Sequence, residues 1–144
     1  MPKSAPDHHD ADLVLKLYDL RREAVMRQSR DAMMRWLPRS WEELVAVTEM
    51  SHPHNAAWRQ VSSYWEMAYG FAKHGVIHPD FLAENAGEGL FLFAKVQPYI
   101  ERFRREMSPN AFLNTEWLLG ASPTARQRFE LIKARVQKMA AAPK

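Results

Sequence analysis

The stretch WRQVSSYWEMAYGFAKHG, from Trp58 to Gly75, most constrains what this chain can become. On a helix at about 100° per residue, Trp58, Val61, Tyr64, Trp65, Met67, Ala68, Tyr69, Phe71 and Ala72 cover well over half the circumference. Arg59, Ser62, Ser63, Glu66, Gly70, Lys73 and His74 share the remaining arc. A surface helix buries a narrower stripe than that. The pattern predicts a central helix over residues 54–74 with neighbours on several sides, stopped by Gly75 as a left-handed cap.

The flanking segments also predict helices. Asp10 is placed to cap a long first helix that runs to Leu37 and ends at Pro38. Leu13, Leu17, Leu20 and Ala24 form one apolar stripe of it, and Val14, Tyr18, Val25, Ala32 and Trp36 form the next. Leu15, Met26 and Met33 fall outside both stripes, which makes them the candidate contact for a second copy of the chain or for its C-terminal segment. Ser40 and Glu43 have the spacing of a capping box for a short third segment. After the central helix, Asn85 and Glu88 suggest another cap, and Leu90 to Ala94 is apolar on every side and predicted buried. The glycines around Glu88 suit a turn packed closely on the central helix. Pro98 interrupts this segment. Ser108-Pro109 and Ser122-Pro123 open two further helices, the second with the stripe Ala125, Phe129, Ile132, Val136 and Met139. No alternating β-branched run competes, so the expected fold is an all-α bundle of six to seven helices.

At 144 residues the chain suits one domain, expected over 10–140, with residues 1–9 as a disordered tail. No run of about 18 apolar residues is present, and the first residues lack the apolar core of a signal peptide. Cysteine is absent, which excludes disulfides and thiolate chemistry and fits a cytoplasmic setting. A formal net charge of +3 is mild. The basic last segment, with Arg126, Arg128, Lys133, Arg135 and Lys138, is the best place for an anionic partner, yet nucleic acid is disfavoured. The aromatics that would stack bases fall on core stripes, away from the arginines.

Catalytic patterns are missing. There is no Gly-x-Ser-x-Gly elbow, no phosphate-cradling Gly-rich loop with its lysine, and no paired Glu-x-x-His. His52, His54 and Glu49 make the best local ligand cluster, but their spacing fits a polar turn better than a zinc site. No metal or cofactor is expected. Candidate ligand contacts reduce to Trp65, Glu66, His74 and Glu88. Each has a plain structural reading beside the functional one. Trp65 suits the core, and Glu66 a carboxylate in solvent between two cations. His74 suits a helix end, and Glu88 the favourable end of a helix dipole.

The order of segments LYDLRREAVMRQSR, WRQVSSYWEMAYGFAKHGVIHPDFL and NAGEGLFLFAKVQPYIERFR, followed by a Trp-bearing helix, resembles a family of small bacterial all-helical proteins of unknown function. The resemblance spans residues 13–119 and is most specific at Tyr64-Trp65-Glu66-Met67, His74-Gly75 and Gly87–Pro98. It implies no activity and no site residues.

The leading expectation is therefore a non-enzymatic regulatory or protein-interaction module, homodimeric through Leu15, Met26 and Met33. One alternative is a small-molecule sensor whose aromatic and methionine-lined cavity lies beside the central helix. Another is nucleic-acid binding through the basic last helix. The open question is whether the polar arc around Glu66 faces water, a cavity or another helix.

Overall fold

A computed structural model describes residues 2–143. Nine α-helices occur among them: α1 (His8–Leu20), α2 (Ala24–Arg35), α3 (Trp41–Val47), α4 (Asn55–Lys73), α5 (Pro79–Asn85), α6 (Glu88–Val96), α7 (Ile100–Glu106), α8 (Leu113–Ala121) and α9 (Pro123–Ala141). A 3-10 turn, Gln97–Tyr99, joins α6 to α7 at Pro98. The fold is all-α, as the periodicity implied. No helix among the described residues is long and apolar enough to cross a membrane.

The helix count exceeds six or seven because two long segments each divide. Pro98 breaks the stretch after α6, as its missing N–H requires. The break between α1 and α2 has another cause. The Glu23 carboxylate accepts from the backbone N–H groups of Val25 and Met26 at 3.0 and 2.9 Å, capping a new helix where continuous periodicity suggested one rod. Those two bonds hold the Glu23 carboxyl below its usual range.

This break takes two of the three residues out of the expected self-association surface. It re-phases α2 so that Met26, Ser29 and Met33 face α4, with Ser29 donating to Gln60 at 2.8 Å. Met26 and Met33 are 4% and 3% exposed and belong to the core, while Leu15 alone is open, at 65%. The chain start differs as well. Asp7, not Asp10, caps α1, through the N–H groups of His9 and Asp10. Asp10 is buried and binds both the Lys3 ammonium and the His78 N–H, the latter at 2.6 Å. Asp10 thus ties α1 to the start of α5, and Lys3, within the expected tail, pairs with it.

α4 is the centre, packed by α2, α5, α6 and α8, while α9 closes the far side against α5, α6 and α8. Its core face carries Trp58, Val61, Trp65, Ala68, Tyr69 and Ala72. Met67, counted with that face, is exposed. Gly70, counted with the polar arc, is buried beneath Asn114, whose Nδ2 lies 2.9 Å from where a Cβ would stand. On the opposite flank Tyr69 sends its hydroxyl to the Ala86 carbonyl at 2.6 Å. Burial pushes that phenol well above its ordinary range, and the Glu88 and Glu66 charges push the same way. The last helix starts as expected, with Ser122 as N-cap. Its hydroxyl also donates to Asp80 at 2.5 Å, which holds that carboxyl low.

Candidate functional site

Along α4, on the flank away from Tyr69, runs a groove of about 630 Å³. Its α4 wall carries Trp58, Ser62, Ser63, Glu66 and Lys73, and the opposite wall is the turn from Phe103 to Asn114. The turn is stiff. Met107 and Ser108 N–H groups both return to the Phe103 carbonyl, and Ala111 N–H returns to Ser108. Arg104 fastens it from outside, donating Nε to the Ala111 carbonyl at 2.9 Å and Nη1 to Glu116 at 3.0 Å.

Phe112 ends this turn with φ 58° and ψ 22°, a left-handed conformation that bulky residues rarely adopt. Such backbone costs on the order of 1–3 kcal/mol and persists only where the surroundings impose it. Here the ring sits 5.9 Å from Trp58 and 5.6 Å from Phe93, centroid to centroid. Trp58 in turn meets Phe103 at 6.3 Å. Of these rings, Trp58, Phe103 and Phe112 line the groove as an aromatic floor.

Because Phe112 occupies the N-cap position of α8, that helix begins without a capping side chain of its own. Glu66 supplies one from α4. Its Oε1 accepts from the Thr115 N–H at 2.8 Å and from the Thr115 hydroxyl at 2.5 Å, and its Oε2 accepts from the Asn114 N–H at 3.0 Å. Asn114 Nδ2 donates back to the Glu66 carbonyl at 3.0 Å. A carboxylate at a helix start also meets the favourable end of the dipole. At Glu66 and Gly70 the polar arc of α4 therefore meets another helix, while Ser62, Ser63 and Lys73 open on the groove, and Glu66 is both a groove wall and the clasp between α4 and α8. Lys73, at the end of the groove, has no ion pair among the described residues.

The other candidate contacts lie elsewhere. Trp65 is in the core, its ring 5.9 Å from Tyr69 and 4.9 Å from Tyr64, beside a void of about 30 Å³. Its indole N–H has no hydrogen-bond partner among the described residues. His74 is exposed at the end of α4, where its backbone N–H, not its ring, bonds the Gly70 carbonyl. Glu88 pairs with Arg30 Nε at 2.8 Å on a separate trough beside α6. The four residues share no site. No group of three or more histidines or carboxylates able to hold a metal occurs among the described residues, and His52 and His54 form a turn in which His54 N–H donates to His52 Nδ1.

Sequence reasoning missed Phe112, Asn114 and Lys95. Asn114 and Thr115 are cap-type residues, but they lie inside α8, so a cap placed on them would start the helix late. Nothing in the sequence marks a left-handed phenylalanine. Lys95 closes an apolar run and is 2% exposed, donating to the Met33 and Met34 carbonyls at 2.6 and 2.9 Å and lying over the Phe91 ring. Burial brings its ammonium down to about 7, partly opposed by the Glu88 charge.

Residues 6–121 match the model of a family described as a domain of unknown function (DUF4760). No curated protein and no solved structure matches the chain.

Proposed function

The chain belongs to the DUF4760 family, and from that premise we propose that it is a non-enzymatic interaction module that binds a short, apolar-anchored segment of a partner polypeptide in the α4–α8 groove. The supporting observation is the left-handed Phe112, held on an aromatic floor by a turn with several backbone hydrogen bonds of its own and by the Glu66 clasp. Strain kept in the floor of a preformed concavity points to recognition. The floor would take an apolar anchor. Asn110, Ser62, Ser63 and Lys73 at the rim would meet main-chain groups. Self-association is left with Leu15 alone and forms no part of the proposal. A cytoplasmic setting does, and it fits a chain without cysteine.

The groove's volume, within the roughly 300–1,000 Å³ of small-molecule sites, favours a small amphipathic ligand as the second reading. Both readings need the same floor. Peptides selected from a random displayed library on the intact chain test the first. They are expected to lose at least about tenfold in affinity for Ser63→Trp, which fills the groove mouth, and to be indifferent to Leu15→Gln. Selected peptides that bind Ser63→Trp as tightly as the wild type would overturn it.

A further inference from the structure

A second concavity shares no residue with the groove. Two lobes, of about 640 and 450 Å³, meet at Arg30, Met34 and Glu88 to form one trough, with α2 and α9 as walls and the start of α6 as floor. Four guanidiniums line it: Arg27 and Arg30 from α2, Arg128 and Arg135 from α9. Its two carboxylates are already taken, Glu88 by Arg30 at 2.8 Å and Asp31 by Arg35 at 2.9 Å. Arg27, Arg128 and Arg135 have no acidic partner among the described residues. Three uncompensated cations on one face compare with +3 over the whole chain.

Between these charges stand large apolar side chains. Met34 is 44% exposed and Leu131 is 68% exposed. On α9, Arg128, Leu131, Ile132 and Arg135 follow the i, i+3, i+4, i+7 spacing of one helical stripe. On α2, Arg27, Arg30 and Met34 do the same. A phosphate backbone or a free anion would satisfy the arginines and leave Leu131 and Met34 in water. A ligand that carries carboxylates and an apolar face together covers both.

We propose that the α2–α6–α9 trough is a docking site for an acidic amphipathic helix of a partner protein, its carboxylates on Arg27, Arg128 and Arg135 and its apolar face on Met34, Phe91 and Leu131. The site is separate from the groove, so the module carries two recognition faces. The contact from residue 27 to 34 spans about 10 Å, or about two turns of such a helix.

The probe is a fluorescein-labelled synthetic peptide of about 16 residues, glutamate-rich, with leucines on one helical face, read by anisotropy against the full chain at about 0.15 M salt. The double variant Arg128→Glu/Arg135→Glu is expected to weaken binding at least about tenfold, and Lys16→Glu/Arg105→Glu, an equal charge change elsewhere, less than about twofold. Leu131→Gln and a scrambled peptide of the same composition are each expected to weaken it about fivefold or more. All substituted side chains are exposed, so the variants are expected to keep their helices, which circular dichroism checks. Equal losses in the two charge-reversed pairs would overturn the proposal. So would absence of binding at about 1 mM peptide, or tighter binding of a single-stranded oligonucleotide of matched charge.

Discussion

A methyl group on Gly89 would stand 2.5 Å from Tyr69 Oη and 2.7 Å from both Tyr69 Cε2 and Trp65 Cβ. Both aromatic residues are buried and the nearest atoms include a Cβ, so none of them can swing away cheaply. Gly89→Ala is expected to lower unfolding free energy by about 1–3 kcal/mol, measured by urea denaturation. Glycines around Glu88 suit a segment packed closely on the central helix, and at Gly89 the start of α6 does so. Lys95 gives a pH signature. Its ammonium titrates at about 7 in the fold and near 10.5 when unfolded, so between those values the unfolded chain binds more protons. Stability is therefore expected to rise with pH from about 7 to 9.5, and Lys95→Met to flatten that rise while leaving the rest of the profile alone. A wild-type profile that falls across this window would contradict the assignment.

Among the elements, α8 depends most on a residue outside itself. Removing the clasp with Glu66→Ala leaves the Asn114 and Thr115 N–H groups without their acceptor, at an expected cost of about 1–2 kcal/mol. Amide exchange should quicken at the start of α8 and little in α2. Glu66→Gln, which keeps one acceptor, should lose less. The α4 bounds, the Ser40 and Ser122 caps and the Pro98 break were all legible, because each rests on local chemistry within a few residues. The α1–α2 break was not, since periodicity runs on through Glu23 and only the capping carboxylate re-phases the stripe. That one residue moved Met26 and Met33 from a supposed interface into the core. The isolation of Glu66 on a polar arc is legible, but its partners lie 48 and 49 residues on, beyond any helical period.

For the whole molecule, α4 divides the chain's chemistry between two flanks. One buries Tyr69 and Trp65 against α6, where the glycine-bearing segment closes over them. The other presents the groove, whose floor is aromatic and whose far wall α4 itself clasps through Glu66. Arg-lined α9 adds a second face that lies partly beyond the stretch matched by the family, whereas every groove residue falls within it. The bundle was legible from periodicity alone. The concavities were not, because they arise where helices from distant segments fail to meet. The most direct measurement is amide resonance mapping of the intact chain with a groove-selected peptide. Expected are shifts concentrated at Trp58, Ser62, Ser63, Glu66, Phe112 and Asn114, and absent from Ser63→Trp at the same peptide concentration. Shifts centred on α1 or on the Arg128–Arg135 face, with those groove residues unmoved, would contradict the assignment of the groove as the recognition surface.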